Sequence, residues 1–527
     1  MRLKQLSWNS EHQSYTMSIQ SFHARLEEAL ATHQPKPTPP TLPTPERLAH
    51  ASAALGLPAT RLSQPLGTDG AINHLLQDII PGLSGQSGPR YFGFVTGGVH
   101  PAAAAADNIV TATDQNVQVH LPDATIATEL EAVTLDMLAD LLGLKDHVER
   151  AGGRRLFAGR TFTTGATASN VLGLACGRES VVAQRLPADS PSVGELGLLG
   201  ACAAAGIKKI QVLTSAGHSS LSKAASIVGI GRANVVEMPC SKGKPWLLDL
   251  EAVEAELEAG SENGTATIIA ISLGEVNTGR YAVDEWSEVQ KLSALSKKYG
   301  SWFHVDGAFG IFARALGPDP EFSSLRRRVE DMEKYVDSVT VDGHKLLNVP
   351  YDCGMFFSRS LDLQTQVFKN PNAVYLASAA GATVPSPLNI GIENSRRFRA
   401  LPAYAMLRAE GREGVAKMLA RMVSLARGVA VFLRDSEHYE WLPEETGNID
   451  DVFIVVLFRA KDEALNEELV ARINGTRDMY VSGTSWNGRK AVRLAVSNFG
   501  VDVARDLEVV TRILTDVAER MSYVRDS

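Results

Sequence analysis

The sequence predicts an α/β protein with a mainly parallel sheet, helices on both faces and a small α+β domain appended at its C-terminal end. Two observations support this fold class. Between about residues 150 and 360, short apolar runs alternate with helical or glycine-bounded stretches. Such runs are typical of strands that are buried on both faces by the helices of a parallel sheet. From residue 393 onward, a long helical pattern leads into further apolar runs and two more helices.

The first ninety residues are predicted to form an arm outside the main sheet. An amphipathic stretch at 18–32 is followed by QPKPTPPTLPTP, which places six prolines between Pro35 and Pro45. This composition favours extended polyproline geometry, so we expect a solvated spacer, with an arm lying across a partner subunit as the alternative. The expected division is residues 1–90 for the arm, 91–395 for the large domain and 396–527 for the small domain.

The apolar runs of the large domain are the predicted strands of the sheet. They are KIQVLTS at 209–215, ANVVEMP at 233–239, ATIIAISLG at 266–274, SWFHVDG at 301–307 and DSVTVDG at 337–343. In the small domain, DVFIVVLFRA and AVRLAVSN are apolar runs, and 465–475 and 504–521 are helical patterns. Ligands of parallel α/β sheets bind at the carboxyl ends of the strands, so the residues that follow these runs are the candidates for a site.

Charge and cysteine content exclude several classes of function. The 527 residues include 52 Lys+Arg and 60 Asp+Glu, a formal net charge of −8, which gives no reason to expect a nucleic-acid or acidic-membrane partner. We expect no membrane span, because no run of 18 apolar residues occurs, and no standard secretion signal, because MRLKQLSWNSEHQSYTM has no apolar h-region. The four scattered cysteines indicate no disulfide framework and no metal site. The cytoplasm is therefore the expected location.

Three predicted strands are followed or closed by residues that could carry chemistry. His218 follows the first run, Asp306 closes the fourth, and Lys345 follows the fifth. Singly, the histidine and the aspartate are ordinary helix caps, whereas a buried lysine is costly unless it is used. Together they meet the requirements of pyridoxal phosphate (PLP): an amine for a Schiff base, a carboxylate for the pyridine nitrogen and an imidazole that stacks on the ring.

A phosphate site is predicted upstream of these three residues. FTTGATASN at 162–170 turns the chain into the helix VLGLACGRES through small and hydroxyl residues. Such a helix N-terminus can bind an anion, although any well-capped helix would use the same residues. Its position before the three strand-end residues favours the phosphate of PLP.

The residues now resemble a known family, the PLP-dependent group II amino-acid decarboxylases of fold type I, which include aromatic-L-amino-acid, glutamate and histidine decarboxylases. The segment LNVPYDCG after the lysine looks most like a microbial branch of that family. The resemblance runs from Tyr91 to the C-terminus. It is carried, in order, by YFGFVTGG, LPDATIATELE, FTTGATASN, GHSSLSKAA, HVDGAFG, DSVTVDGHK, NSRRFRAL and SGTSWNGRKAVRLAVSN. The resemblance implies a homodimer whose site is built from both subunits.

The resemblance also implies the roles of the strand-end residues. Lys345 would hold PLP as a Schiff base, and His344 would reach the phosphate. Asp306 would pair with the protonated pyridine nitrogen that a quinonoid intermediate needs. Ala308 would pack on one face of the ring and His218 would stack on the other.

Further residues are implied for the phosphate and the substrate. Ala166 and Thr167 would bind phosphate oxygens through backbone N–H and hydroxyl groups, with Asp342 nearby in a position often occupied by asparagine. The segment that matches the wall of the substrate pocket contains three aromatic residues, Tyr91, Phe92 and Phe94. On the residues alone, aromatic side chains at such an edge are also common in a core, so both interpretations stay open.

The implied reaction removes carbon dioxide from an L-amino acid and leaves the amine, and three departures bear on it. Ala168 stands where the family usually has glutamate. Glu275 stands in GEVNTG at 274–279 where better-known members have paired threonines, and it is either a partner near the cofactor or an exposed turn residue. Better-known members carry a loop tyrosine that donates a proton, but residues 376–395 contain no tyrosine.

The missing tyrosine keeps other outcomes open. One is decarboxylation coupled to oxidative deamination, which gives an aldehyde, and another is an aldolase or other carbon–carbon lyase. A third is a non-catalytic homologue that only binds PLP. Because Lys345 and Asp306 are retained, the non-catalytic alternative is the weakest of the three.

Overall fold

A seven-stranded sheet forms the centre of the large domain in the computed structural model, which describes residues 19–33, 40–56, 62–150, 152–371, 384–443 and 447–525. The order across the sheet is β1-β7-β6-β5-β4-β2-β3. The strands are β1 (Gly159–Thr163), β2 (Lys209–Thr214), β3 (Val235–Glu237), β4 (Thr265–Ser272), β5 (Trp302–Asp306), β6 (Ser338–Asp342) and β7 (Gly354–Ser358). The five predicted runs form β2 to β6, and the predicted mainly parallel sheet is confirmed.

Two strands of this sheet were not predicted. β7 pairs antiparallel with both β1 and β6, whereas β2 to β6 are joined by parallel pairs. β1 reads GRTFT, which lacks the apolar run that marks the other strands, although all five residues are buried. Because β1 and β6 both oppose β7, the carboxyl ends of β1, β2, β4, β5 and β6 meet at one edge.

Helices cover both faces of the sheet and continue into the flanking regions. Those of eight residues or more are α1 (Ile19–His33), α2 (Pro45–Leu55), α3 (Gly67–His74), α4 (Pro101–Thr113), α5 (Ala127–Leu141), α6 (Ala166–Ala183), α7 (Val193–Ala204), α8 (Ser219–Ile227), α9 (Leu250–Asn263), α10 (Trp286–Lys298), α11 (Leu361–Phe368), α12 (Ala400–Asp435), α13 (Glu463–Gly475) and α14 (Val503–Arg525). α6 is central, since it packs against β1 and β4 to β7. None of the helices in the described ranges is long and apolar enough to cross a bilayer.

The small domain is an antiparallel sheet with two helices. Its order is β10-β11-β9-β8, formed by β8 (Tyr439–Leu442), β9 (Val455–Ala460), β10 (Ser482–Trp486) and β11 (Arg489–Ala495). α12 leads into it from the large domain and packs against α4, α5 and α14. One hydrophobic core runs from the large sheet into this domain, so part of the boundary between the two domains is packed apolar side chains.

The described end of the proline-rich segment is packed against the small domain. Residues 34–39 lie outside the described residues. Thr41 is buried, and its N–H donates to the Arg477 carbonyl oxygen at 2.7 Å. Pro45 starts α2, where Thr44 caps the helix by accepting a hydrogen bond from the Arg47 N–H. The predicted solvated spacer is therefore wrong for residues 40–44, because their backbone finds partners on the chain's own C-terminal region.

Candidate active site

A cavity of about 360 Å³ lies at the edge where the parallel strands end. It brings together most of the residues that the sequence singled out. Its lining includes Phe94, Ala166, Thr167, His218, Asp306, Ala308, Asp342, His344 and Lys345. The full lining draws on six separate segments of the large domain and on one residue of the small domain.

The turn between β1 and α6 forms the narrow end of this cavity. Gly165 has φ 146°, and a Cβ there would come within 3.0 Å of the His344 ring, so a larger residue would fill the turn. The first N–H groups of an α-helix have no acceptors within the helix and carry partial positive charge, which suits an anion. The Ala166 N–H already donates to Asp342 Oδ1 at 2.9 Å, and the Ser169 N–H donates to the Gly165 carbonyl oxygen. The Thr167 and Ala168 amides are therefore the donors of this turn that a ligand could use.

Asp342 organises the base of the cavity. Its Oδ2 lies 3.2 Å from Lys345 Nζ and 3.3 Å from His344 Nε2. Burial alone would raise the pKa of the Asp342 carboxyl, but the Lys345 ammonium and the His344 ring outweigh burial and hold this pKa below its usual value. His344 Nδ1 accepts from the Cys353 N–H at 3.2 Å, so the other ring nitrogen carries the proton that faces Asp342. The carboxylate therefore fixes the lysine and the histidine together.

Asp306 lies at the end of β5 and is almost fully buried. Its Oδ1 accepts from the Ala308 N–H at 3.1 Å, and its Oδ2 accepts from Asn170 Nδ2 at 2.8 Å. Both carboxylate oxygens are thus oriented by short hydrogen bonds before any ligand arrives. A carboxylate held in this way can keep a positively charged ring nitrogen protonated.

His218 caps α8 and forms another wall of the cavity. Its Nδ1 accepts from the Ser220 N–H at 3.1 Å and lies 2.8 Å from the Ser220 hydroxyl. Burial lowers the pKa of His218, and Lys345 and Arg493 add to that effect, while Asp306 opposes it. A neutral ring whose Nδ1 is an acceptor carries its proton on Nε2. The side chain can therefore stack on an aromatic ring and donate one hydrogen bond.

The three aromatic residues predicted to contact substrate lie in different environments. Phe94 lines the cavity and is 64% exposed. Tyr91 stacks on Tyr480 with ring centroids 4.6 Å apart, and Phe92 is fully buried in the core. The Phe92 N–H donates to the Tyr480 carbonyl oxygen, so this segment is tied to the small domain. Of the three aromatic side chains, the structure brings Phe94 alone into the cavity lining.

Arg493 is a cavity residue that the sequence reasoning missed. It lies on β11, is 5% exposed, and donates to the carbonyl oxygens of Val276 and Phe94. Burial lowers its pKa to about 10, and Glu275 partly opposes this shift, so the guanidinium stays charged at neutral pH. Carbonyl oxygens solvate this cation without neutralising it. The motif AVRLAVSN contains the arginine, but a residue pattern does not show that a strand of the small domain reaches the cavity.

Glu275 is a buried acid that interacts electrostatically with Arg493. It accepts hydrogen bonds from the N–H groups of Asn277 and Thr278 and from the Thr278 hydroxyl at 2.8–2.9 Å. Burial raises the pKa of Glu275, while these hydrogen bonds and Arg493 partly offset the rise. Of the two alternatives for Glu275, the exposed turn residue is excluded by its burial.

Comparison with known proteins identifies the family. The model described as the pyridoxal-dependent decarboxylase conserved domain matches residues 57–461. The chain belongs to this family. It is therefore a PLP-dependent carboxy-lyase of the group II decarboxylases, as the resemblance implied.

Individual relatives of this decarboxylase act on different amino acids. Tryptophan decarboxylase 1 of Oryza sativa subsp. japonica is 25% identical over 82% of this chain and 80% of its own length. L-2,4-diaminobutyrate decarboxylase of Acinetobacter baumannii is 28% identical over 59% of this chain and 58% of its own. Phenylacetaldehyde synthase of Arabidopsis thaliana is 24% identical over 84% of both chains. The family is thus clear, while the substrate and the product differ among its members.

A solved structure supports the assignment of the decarboxylase fold. The structure of Oryza sativa TDC with PLP and tryptamine superposes with a TM-score of 0.77, at 21% identity, over 96% of this chain and 99% of that one. The large sheet and the appended antiparallel sheet therefore form fold type I of the PLP enzymes.

The cavity of this decarboxylase fits PLP by its donor set. The glycine turn and the α6 N-terminus can receive a phosphate, the buried carboxylate of Asp306 can face a pyridine nitrogen, and Lys345 supplies the amine. His218 and Ala308 lie in the same lining and can bound the two faces of a flat ring. The phosphate, the pyridine nitrogen, the aldehyde and the two ring faces of PLP thus each have a complementary residue in the cavity.

Proposed function

We propose that this enzyme removes the carboxyl group of an L-amino acid as carbon dioxide and releases the amine. The observation that carries the proposal is that Lys345, Asp306, His218 and the α6 N-terminus line a single cavity. When bound, PLP supplies an electron sink for the bond that breaks at Cα. The protein's part is to hold the cofactor and to orient that bond.

Within this proposal, each residue has a task at a stated atom. Lys345 Nζ is the amine that holds the cofactor and gives it up to the substrate, and Asp342 orients it. Asp306 keeps the proton on the pyridine nitrogen. His218 has its Nε2–H available to donate a hydrogen bond to the substrate carboxylate or to relay a proton from water to Cα. Thr167 and the first turn of α6 bind the phosphate.

Arg493 is the proposed binding partner for a substrate carboxylate. A buried guanidinium that faces a cavity gains most from an anion, since a charge-assisted pair is stronger than a bond to a carbonyl group. The amino-acid substrate brings such an anion. Arg493 would therefore set the affinity for the substrate, and the cofactor would be held by other residues.

We propose an aromatic or bulky apolar amino acid as the substrate. The cavity wall around Arg493 is apolar, with Phe94, Val95, Val276 and Phe309 in the lining. Several relatives, including the tryptophan decarboxylases and aromatic-L-amino-acid decarboxylase, are named for aromatic substrates. Phe94 would contact the substrate side chain, while Tyr91 and Phe92 would anchor its segment.

An aldehyde product is the second candidate. It is favoured by the absence of tyrosine from residues 376–395 and by the similarity to phenylacetaldehyde synthase. Of that segment, residues 376–383 lie outside the described residues, as does Tyr375. In this reaction one dioxygen and one water would be consumed for each amino acid, and carbon dioxide, ammonia and hydrogen peroxide would accompany the aldehyde.

A mass-balance assay tests both candidates. PLP-loaded enzyme is given each proteinogenic amino acid, DOPA and ornithine, while carbon dioxide, amine, aldehyde, ammonia and dioxygen are followed together. Equal amounts of amine and carbon dioxide support the decarboxylase. Aldehyde with equal ammonia and consumed dioxygen supports the second candidate. Carbon dioxide released at an unchanged rate by Lys345→Ala would contradict both.

The assembly we propose is a cytoplasmic homodimer. Phe94 and Tyr351 are 64% and 57% exposed, although Phe94 lines the cavity and the Tyr351 ring lies 4.4 Å from that of His344. A second copy of the chain would cover these side chains and close the site. The four free cysteines suit a reducing compartment. Light scattering on the PLP-loaded enzyme tests the dimer, and a monomer with full activity would contradict it.

A further inference from the structure

Asn170 lies on the face of α6 that packs on the sheet, between the groups proposed for the pyridine nitrogen and for one face of the cofactor ring. Its Nδ2 donates to Asp306 Oδ2 at 2.8 Å and to Ser220 Oγ at 3.1 Å. Ser220 in turn contacts His218 Nδ1. One amide therefore touches the carboxylate at the end of β5 and, through a hydroxyl, the imidazole that caps α8. Asn170 itself is fully buried.

The amide oxygen of Asn170 is also engaged, which fixes the orientation of the group. Oδ1 accepts from Thr340 Oγ1 at 2.9 Å and lies 3.0 Å from His304 Nε2. Burial lowers the pKa of His304 to about 4, so this ring is neutral at pH 7 and has a single N–H. Its Nδ1 lies 2.8 Å from the Ser338 hydroxyl.

Ser338 decides which nitrogen of His304 is protonated. Its Oγ accepts from Trp302 Nε1 at 2.9 Å, so its own proton is free to be donated to His304 Nδ1. The proton of His304 is then on Nε2 and points at the oxygen of Asn170. The amide nitrogen must consequently face Asp306, and both of its hydrogens are used.

The hydrogen bonds of Ser220 are directed in a similar way. Ser220 Oγ accepts from Asn170, and its proton is donated to His218 Nδ1, which already accepts from the Ser220 N–H. All of these donors are directed so that Asp306 receives a hydrogen bond as a carboxylate and His218 keeps its proton on Nε2. In a buried network of this kind, each unmet donor or acceptor is costly.

We propose that Asn170 is a positioning residue that couples Asp306 to His218: it orients the Asp306 carboxylate and, through Ser220, places the His218 ring. This inference rests on the proposed function, because the two coupled groups are those assigned to the pyridine nitrogen and to the ring face. Asn170 acts on the cofactor only through them.

The test compares Asn170→Ala and Asn170→Asp by PLP affinity, measured from the absorbance of the bound cofactor. Loss of the donor to Asp306 is expected to raise the PLP dissociation constant about tenfold in Asn170→Ala, from the usual cost of an unmet buried group. Asn170→Asp keeps the shape of the side chain but turns an acceptor toward Asp306, so its loss of PLP affinity should exceed that of Asn170→Ala. When the pH is lowered, the introduced carboxyl gains a proton that it can donate, and the difference in PLP affinity between this variant and wild type should narrow. The titratable groups around it are Asp306, His304 and, through Ser220, His218.

Asn466→Ala is the matched control. Asn466 is also buried, accepts from the Ala460 N–H and donates to the Lys490 carbonyl oxygen, but it lies on α13 in the small domain. The Asn466→Ala variant should lose thermal stability but keep the wild-type dissociation constant for PLP.

Two results separate the inference from the proposed function. If both Asn170 variants bind PLP within twofold of wild type at every pH, Asn170 is only structural and the inference fails. If wild type itself gains no Lys345-dependent absorbance with PLP, the proposed function fails first. Recovery of Asn170→Asp at low pH is a signature that general loss of stability would not produce.

Discussion

Two parts of the cavity lining, called here the Asp306 end (on β5) and the Arg493 end (on β11), surround their buried charges differently. At one end, Asp306 receives hydrogen bonds on both oxygens, and the network behind it through Asn170 and His304 matches donors with acceptors. At the other end, Arg493 is also buried, but it donates to carbonyl groups that cannot balance its charge. The Asp306 carboxylate is therefore already oriented by its hydrogen bonds, whereas the charge of Arg493 can still be neutralised by an anion.

This difference matches two kinds of ligand. A cofactor that stays bound benefits from a site whose geometry is fixed before it arrives, because little is then lost in ordering the protein. A substrate has to enter and leave in every cycle, so a charge that is only partly satisfied gives affinity without trapping the product amine. The comparison therefore supports the proposal that the Asp306 end holds PLP and the Arg493 end binds the substrate.

The largest effect is expected from Asp306→Asn. The amide cannot stabilise a proton on the pyridine nitrogen, and it places an N–H where Asn170 already donates. We expect kcat to fall by about a thousandfold, in the upper range for loss of one preorganised electrostatic group. Steady-state kinetics with saturating PLP measure it. A kcat within tenfold of wild type would mean that a residue other than Asp306 stabilises the proton on the pyridine nitrogen.

The next effect separates the two ends. Arg493→Met should raise KM for the amino acid by about a hundredfold, as expected for loss of one partner of a buried charge pair, while the dissociation constant for PLP stays unchanged. Arg493→Lys restores the charge without the forked geometry and should recover part of the loss. Arg493→Met with normal KM and weakened PLP would reverse the assignment of the two ends.

The sequence predicts the Asp306 end far better than the Arg493 end. A parallel sheet brings the residues that follow its strands to one edge, so His218, Asp306 and Lys345 could be placed together from the chain alone. Arg493 arrives from β11 of a different sheet, and no local pattern encodes that approach. The orientation of Tyr91 and Phe92 toward other residues of the protein was hidden for the same reason, since it depends on pairing with Tyr480 in the small domain.

The fold shows the same division between local and distant information. The apolar runs identified β2 to β6, although β3, at the edge of the sheet, is only partly buried. β1 was missed because GRTFT lacks an apolar run, whereas β7 was missed although GMFFS contains one. The antiparallel pairing of β7 with its neighbours is set by tertiary structure. Asn170 lay within a motif that the sequence analysis quoted for phosphate binding, but the partner of its amide is set by tertiary packing.

A smaller effect is expected from Asp342, and it depends on pH. Its pKa is held below the ordinary value in the folded protein, so its contribution to stability is full above the unfolded-state pKa and is lost as the pH falls through the folded-state pKa. Asp342→Asn should therefore flatten part of the decline in the free energy of unfolding on the acid side of that window. Urea unfolding at pH 7 and at several acidic pH values measures the difference. Parallel curves for both proteins would contradict it.

The smallest effect, from Glu275→Gln, sharpens the comparison at the substrate end. Glu275 lowers the positive potential around Arg493 while its hydrogen bonds go to Asn277 and Thr278. Removing its charge leaves the guanidinium more attractive to an anion, so KM should fall by about threefold, a modest change for a charge that is not in direct contact. Thr278→Val is the matched control, because it removes one hydrogen bond to Glu275 and leaves the carboxylate, so stability falls while KM stays. A rise in KM for Glu275→Gln would mean that Glu275 orients Arg493 more than it neutralises it.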